Sequence, residues 1–334
     1  MGNQKSLSTK DALKLAKKAE ESGDKEKAQK YFEAILIKYP DNENAVTGIK
    51  RLNPNSLFRS DIDELKELFK ESKFWEVEVK CKTYLERYPE VQELYSLLGL
   101  VMGIKGAHSE ALAHFKKAAE ITPLNVSVQF NLGNAFKFTG DNKLALQSFM
   151  QAINIDPKYV PALSNAGLIL MTEENYDSAL ELFTAAAHLM PDSVEVLCNV
   201  ARALKEKGEY DIALHHYHKA IELDATNAQV FLDMAMCEKL NNNPEEAKNI
   251  YQLITTEDPL NPDAHNSFGN FLKETGETDD AISHYERAIE LEPNNPAPVN
   301  NLGILYRDDG QVEKAEEVFE LARKKFRKAK KNHQ

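Results

Sequence analysis

The chain has 334 residues, a formal net charge of −12 and 42% hydrophobic residues, enough for a continuous core. Its acidity argues against specific nucleic-acid binding along the body of the chain. No apolar run approaches the roughly 18 residues of a membrane span, and the first residues are polar, so neither a span nor a secretory signal is predicted. The three cysteines are scattered and odd in number, which favours buried thiols in a reducing compartment. We therefore expect a cytoplasmic protein.

The sequence opens with one predicted helix pair and a single further helix. The pair covers residues 9–42. The further helix, Glu43–Leu52, is followed by the breaker Asn53-Pro54-Asn55-Ser56, where proline and asparagine disfavour a continued helix. These elements predict a three-helix module that a short linker joins to the rest of the chain.

From Phe58 to Arg327 the sequence repeats itself every 34 residues. With the opening pair 9–42 counted as the first of nine rows, one column holds alanine in eight rows, and a second column, four residues later, holds phenylalanine or tyrosine in eight. A fixed period of this length indicates stacked supersecondary units that form a solenoid. The alanine column consists of Ala28, Val77, Ala111, Ala145, Ala179, Ala213, Ala247, Ala281 and Ala315.

Each row predicts two helices and a turn, and the fourth row shows the pattern clearly. Its first helix is predicted over Val126–Thr139 and its second over Asn142–Ile155. Gly140 separates them because glycine takes the left-handed conformation at low steric cost. Pro157 ends the second helix, since the residue before proline is disfavoured in the helical region. The chain should therefore be all-α.

The basic end of the chain is predicted to cap the last repeat. Seven lysines and arginines lie between Arg323 and Lys331, and a polar extension of the final helix would cover an exposed apolar edge. Contact with phosphates is the alternative. Without this cover we expect weak self-association through terminal repeats. The predicted regions are a disordered N-terminus (1–8), a repeat with an extra helix (9–52), a linker (53–57), eight contiguous repeats (58–329) and the basic capping tail (323–334).

The rows resemble the tetratricopeptide repeat (TPR) family. The resemblance is carried by runs such as Asn131-Leu132-Gly133-Asn134-Ala135-Phe136 and Asn301-Leu302-Gly303-Ile304-Leu305-Tyr306. It implies a right-handed TPR superhelix, an α-solenoid of helix–turn–helix repeats. The rows look most like the arrays that precede the catalytic domain of protein O-linked N-acetylglucosamine transferases. The opening module is similar to the start of bacterial proteins whose repeats lead into a sulfotransferase or glycosyltransferase domain, and we expect no such catalytic domain in this chain.

The resemblance to the transferase arrays implies a binding role for a column of asparagines. In those arrays an asparagine just before the Leu-Gly pair lines the concave face and holds the backbone of a bound peptide. A side-chain amide can pair with both groups of a peptide unit, whatever the peptide's sequence. Asp233 and Ser267 interrupt the column, and neighbouring asparagines partly substitute in the eighth row. The implied positions are Asn131, Asn165, Asn199, Asn266, Asn270 and Asn301. The alternative is that asparagine here is only family consensus.

A second column is cationic. Beside the asparagines, such cations could form a positive strip that favours acidic segments or a terminal carboxylate. The alternative is that each cation pairs with a neighbouring glutamate, such as Glu206 or Glu274, on a solvated face. The cations are Lys137, Arg202, Lys205, Lys239, Lys273 and Arg307.

No motif predicts catalysis. The cluster His215-His216-Tyr217-His218 lacks a further ligand at metal-binding spacing, and there is no glycine-rich phosphate loop or nucleophile–base set. We expect no cofactor and no metal. The predicted function is a non-enzymatic scaffold or adaptor that binds extended protein or peptide segments in a concave groove. The alternative is the substrate-recognition region of a glycosyltransferase or sulfotransferase system, detached from its catalytic domain.

Overall fold

A computed structural model shows that all regular structure in the described residues is helical, as predicted for an all-α TPR solenoid. The chain divides into two compact units, unit 1 (Met1–Ile155) and unit 2 (Asp156–Gln334). No helix of the described chain combines the length and the apolar character that crossing a bilayer would require. The residues that the structure describes are 8–39, 42–52, 59–320 and 323.

Unit 1 begins with a three-helix module and continues with helix pairs. Its described helices are α1 (Thr9–Glu21), α2 (Lys25–Lys38), α3 (Glu43–Leu52), α4 (Arg59–Lys70), α5 (Phe74–Leu85), α6 (Gln92–Ile104), α7 (His108–Ile121), α8 (Val126–Phe138) and α9 (Asn142–Ile155).

Unit 2 consists of further helix pairs. Its helices with defined bounds are α10 (Val160–Thr172), α11 (Tyr176–Leu189), α12 (Val194–Glu206), α13 (Tyr210–Leu223), α14 (Ala228–Leu240), α15 (Pro244–Glu257), α16 (Pro262–Thr275), α17 (Thr278–Leu291) and α18 (Pro296–Asp308). Residues 312–320 are also helical.

The three-helix module has a core of its own. Helices α1, α2 and α3 pack around Phe32, Ala16 and Ala28, all of which are completely buried. The further helix predicted over Glu43–Leu52 is confirmed with the same bounds as α3. Of the predicted flanking regions, residues 1–7 and the linker 53–57 lie outside the described residues. The capping tail 323–334 also lies outside them, apart from Arg323, which is helical.

Within each unit, every repeat pairs a first helix with a second helix that follows a short turn. The second helix then contacts the first helix of the next repeat, as α7 contacts α8 in unit 1 and α11 contacts α12 in unit 2. Successive contacts of this kind produce the continuous core of a repeat protein, in which each repeat contacts its neighbours.

Inside one repeat, a glycine of the first helix contacts the aromatic-column residue of the second helix. A Cβ atom placed on Gly133 would lie 2.6 Å from a ring carbon of Phe149, a separation that real Cβ atoms do not show. The ring therefore occupies the space that the glycine leaves free. Ala145 and Phe149 are both fully buried on α9, which explains why the size of each is fixed.

The turn between the paired helices requires a left-handed residue in every row. Gly140 adopts a φ of 84°, as expected for a glycine that ends a helix. At the same position of other rows stand Ser72, Glu174 and Asn242, with φ values of 59°, 58° and 66°. The left-handed conformation costs most residues with a Cβ atom roughly 1–2 kcal/mol, so the turns at Ser72 and Glu174 carry strain that Gly140 avoids, whereas asparagine tolerates this region.

Candidate functional site

The first helices of successive repeats form a continuous layer in each unit. In unit 1, α6 contacts both α4 and α8; in unit 2, α12 contacts both α10 and α14, and the layer continues through α16 to α18. We call this layer the first-helix face of the unit. The predicted asparagine and cation columns lie on these helices.

A pocket of about 330 Å³ opens on the first-helix face of unit 1, between α6, α7 and α8. We call it the unit 1 pocket. Ile104 and Phe138 form its walls although they are 55% and 68% exposed. The His108 ring stacks on Phe138, with centroids 5.1 Å apart and planes within 5°. Asn131, the first residue of the predicted ladder, is half-buried and lines the same pocket. This face therefore combines an amide with an open apolar surface.

A pocket of about 300 Å³ opens on the first-helix face of unit 2, between α10, α11 and α12. We call it the unit 2 pocket. Asn199 lines it together with Met171 and Tyr176. The lining also includes two charged residues, Arg202 and Glu206.

The Asn199 side chain is only 2% exposed, and its amide nitrogen has no hydrogen-bond partner among the described residues. A buried donor without a partner loses hydration and costs about 1–3 kcal/mol, so such groups are rare in folded proteins. Sequence reasoning placed Asn199 on the binding face but could not predict its burial. An incoming hydrogen-bond acceptor would satisfy this donor.

Two neighbouring polar groups in unit 2 are also incompletely satisfied. The Nε atom of Arg202 lies 3.3 Å from the Asp233 carboxylate, yet it is buried without a well-directed hydrogen bond within the described chain. We take the pair as a favourable charge contact with poor hydrogen-bond geometry. The fully buried Tyr217 hydroxyl likewise has no described partner, and burial raises the pKa of this phenol. Tyr217 therefore remains neutral.

Four other predicted ladder residues, Asn165, Asn266, Asn270 and Asn301, already have partners inside the protein. Asn165 donates from Nδ2 to the Pro161 carbonyl oxygen at 2.9 Å. Asn301 donates to the Asn266 side-chain oxygen at 2.9 Å, which links two neighbouring repeats. Asn270 accepts a hydrogen bond from the Tyr285 hydroxyl at 2.8 Å. These groups must share or exchange a bond to hold a ligand.

The predicted cation strip is largely ion-paired in unit 2. Three of its pairs join a first helix to the first helix of the next repeat: besides Arg202 and Asp233, Lys239 contacts Glu274, and Lys273 lies 3.3 Å from Asp308. Lys205 lies 3.3 Å from its neighbour Glu206.

The two ends of the strip are more exposed. Arg307 lies 4.0 Å from Asp308, which also pairs with Lys273. In unit 1, Lys137 is exposed. The strip cations from Arg202 to Arg307 therefore pair with carboxylates of the same protein, as the alternative for this column predicted.

The cysteines and histidines give no sign of reactive or metal-binding chemistry. Burial raises the pKa of the Cys81 thiol to about 12 and that of the Cys198 and Cys237 thiols to about 11, so all three are unreactive at neutral pH. No group of three potential metal ligands occurs among the described side chains. A cavity of about 450 Å³ in unit 2, lined by Phe231 and Leu253, contains none of the predicted site residues.

Comparison with protein families supports the repeat assignment. Residues 12–42, 126–159 and 206–267 match models described as tetratricopeptide repeat, and residues 269–310 match a model described as TPR repeat. No curated protein sequence matches the chain significantly.

Solved structures share the fold at low sequence identity. A tetratricopeptide repeat protein from Parabacteroides merdae is 16% identical, with a TM-score of 0.54, and the match covers 89% of this chain and 98% of that one. PilF of Pseudomonas aeruginosa is 21% identical, with a TM-score of 0.51, and the match covers 66% of this chain and 96% of that one. The APC/C hetero-tetramer Cut9–Hcn1 is 15% identical, with a TM-score of 0.57, and the match covers 82% of this chain and 52% of that one, so this chain spans about half of that one. These likenesses concern the fold alone.

Proposed function

The chain is a tetratricopeptide repeat protein, a class of protein–protein interaction scaffold, and we propose that it holds an extended peptide segment of a partner on its first-helix face. The observation that carries this proposal is the buried Asn199 amide, which has no partner for its nitrogen among the described residues. A main-chain carbonyl of a peptide is an acceptor that would satisfy it.

The asparagine column suits a polypeptide backbone. Neighbouring packed helices lie ~8–10 Å apart, which is close to three residues of extended chain at roughly 3.3 Å each. One amide per repeat could therefore meet every third peptide unit. Since each amide offers two donors and one acceptor, it can bind the backbone of any sequence.

Acidic segments are the partners that we propose for unit 2. Its strip cations already hold carboxylates of the same protein, such as Glu274 and Asp308. A carboxylate of a bound segment would replace one of these intramolecular partners. Because the exchange breaks one ion pair for each pair it forms, the cations would contribute more to selectivity than to affinity.

The test is the triple variant Asn131→Ala, Asn165→Ala, Asn199→Ala, with peptides selected against the intact wild-type chain from a random display library. We expect peptide binding to weaken by about 1–3 kcal/mol, given about 0.5–1.5 kcal/mol for each net hydrogen bond. The loss should not depend on peptide sequence, and it can be measured by calorimetry.

The matched control is the double variant Asn154→Ala, Asn249→Ala, which removes exposed amides from second helices. It should bind every peptide with wild-type affinity. Circular dichroism should show that both variants keep their helix content. Unchanged peptide affinity in the triple variant would show that these asparagines do not bind the peptide and are only the residues typical of the family at this position.

A second candidate function is substrate recognition for a glycosyltransferase or sulfotransferase system. The asparagine column favours it, because the same column resembles that of O-linked N-acetylglucosamine transferases. The two functions differ in what acts on the bound segment. Finding that a co-expressed transferase modifies the selected peptides only when this chain is present would support the second function.

A further inference from the structure

The pockets of the two units are built from the same positions of the repeat, two periods apart. Asn131 in the unit 1 pocket corresponds to Asn199 in the unit 2 pocket, and His108 corresponds to Tyr176. The backbone setting and the amide are therefore shared. Differences between the pockets come from the remaining side chains.

Three of these differences change the chemistry of the pocket. Unit 1 has Gly103 where unit 2 has Met171, and a Cβ atom on Gly103 would meet no other atom within 4 Å. Asn134 of unit 1 corresponds to Arg202, and Phe138 corresponds to Glu206. The unit 1 pocket is thus open and, within the described chain, has no charged residue in its lining, whereas the unit 2 pocket holds one charge of each sign.

The exposed walls of the unit 1 pocket are costly in the free protein. Ile104 and Phe138 both line this pocket, and each leaves more than half of its surface in water. Burying apolar surface is worth about 25 cal/mol per Å², so an apolar group between these walls would be held by the hydrophobic effect.

Charge decides which side chain fits. A carboxylate entering the unit 1 pocket would lose hydration without meeting a lysine or arginine in the lining. An ammonium group would also lose hydration without meeting a carboxylate in the lining. An uncharged side chain avoids both costs, and an apolar one would in addition cover the exposed surfaces of Ile104 and Phe138.

We propose that the unit 1 pocket is a specificity pocket for one bulky, uncharged aliphatic or aromatic side chain of the bound segment. This inference rests on the proposed function, because Asn131 at the edge of the pocket would hold the backbone that carries this side chain. The partner class is therefore an extended segment with an apolar residue at the position that faces α6 and α8.

The test uses short peptides that have identical glycine–serine flanks and differ at one central residue, which is leucine, phenylalanine, serine, aspartate or lysine. Binding to the full chain is followed by NMR of labelled isoleucine methyl groups. Ile104 reports on the pocket, and the exposed Ile212 on a second helix serves as the internal reference. We expect the leucine and phenylalanine peptides to shift Ile104 and not Ile212, and the other three peptides to shift neither.

Two variants test the pocket with residues found at the same repeat position elsewhere, one by filling it and one by placing a charge in its lining. Gly103→Lys introduces the residue type that Lys205 and Lys239 represent in their rows, and Phe138→Glu introduces the counterpart of Glu206. Each should weaken the leucine peptide about tenfold or more, since the apolar contact is lost. Gly103→Ala is the matched control, because it adds only a methyl group in open space, and it should bind as wild type.

The outcomes separate this inference from the proposed function. Equal binding of all five peptides that disappears in the triple asparagine variant would overturn the specificity pocket and leave the backbone clamp in place. A Phe138→Glu variant that changes the sedimentation mass of the free protein, but not peptide binding, would identify a second copy of the chain as the occupant and overturn the inference. Absence of binding by every peptide would overturn both proposals.

Discussion

The first-helix faces of the two units share their backbone pattern but differ in what covers it. In unit 1 the last turns of α6 and α8 expose the apolar side chains of Ile104 and Phe138, beside the exposed cation Lys137 of α8. In unit 2 the last turns of α14 and α16 carry Lys239 and Lys273, which pair with Glu274 and Asp308 of the next repeat. The alanine and aromatic core columns run through both units, with Val77 and Cys81 of α5 as the exceptions. A repeat protein can thus vary the chemistry of its surface position by position while the packing that supports it stays fixed.

The largest stability effect should be the same in both units, because it concerns the shared core. Ala145 in unit 1 and Ala179 in unit 2 are both completely buried. Replacing either with leucine should cost roughly 1–3 kcal/mol, because the added carbons have no free space in a dense interior. Denaturant unfolding would measure the loss. The exposed Gln147→Leu and Glu181→Leu variants on the same helices should be close to wild type. A large loss in one unit only would show that the units do not share one packing rule.

Substitutions at the turns should change the stability of the protein by a smaller amount, and in opposite directions in the two units. Glu174 in unit 2 holds a φ of 58°, whereas Gly140 at the same position of unit 1 holds 84°. Glu174→Gly should stabilise the protein by about 0.5–1 kcal/mol, since the relief of left-handed strain exceeds the entropy cost of glycine. Gly140→Glu should destabilise it by a similar amount. Thermal unfolding of both variants tests this, and equal signs would contradict the assigned turn geometry.

The smallest effect concerns acid and should fall mainly on unit 2. Burial lowers the pKa of His216, His265 and His284 in unit 2, but only of His114 in unit 1. Below the unfolded histidine pKa of about 6.5, the unfolded chain binds more protons than the folded one, so stability falls as the pH falls. Amide exchange, corrected for its intrinsic pH dependence, should show greater loss of protection in unit 2.

The variant His284→Leu offers a control for this acid effect. His265 and His284 approach to 2.9 Å between their Nδ1 atoms, a space that admits a single proton. Removing one ring should reduce the acid sensitivity of α16 and α17. An equal loss of protection in both units at low pH would contradict the assignment of the effect to these histidines.

The helices were largely predictable because residues that end helices, such as glycine and proline, stand next to them in the sequence. The second helix of the fourth row was predicted over Asn142–Ile155, as observed. The first ends at Phe138, one residue before the predicted Thr139, because helix ends are the least specified part of such a pattern. In both cases a turn glycine and a proline mark the limits in the sequence itself.

The sequence predicted where the residues of the candidate site lie in the repeat, but not how buried they are or which hydrogen bonds they form. The 34-residue period placed Asn131 and Asn199 at the same repeat position. Their burial differs because the neighbouring side chains differ in size and charge. The bond between Asn301 and Asn266 joins residues 35 apart, and periodicity alone does not say which of two eligible amides will meet. Such details depend on three-dimensional contacts that a single column cannot encode.

The contact between Gly133 and Phe149 also bears on how an array of this kind can lengthen or shorten. Both partners lie within one repeat, and the corresponding pair in the third row is Gly99 and Phe115. A gene duplication or deletion of one whole period therefore transfers both halves of the contact together. An inserted repeat therefore contains both the aromatic ring and the glycine that makes room for it. Only the residues on its surface have to adapt to new neighbours.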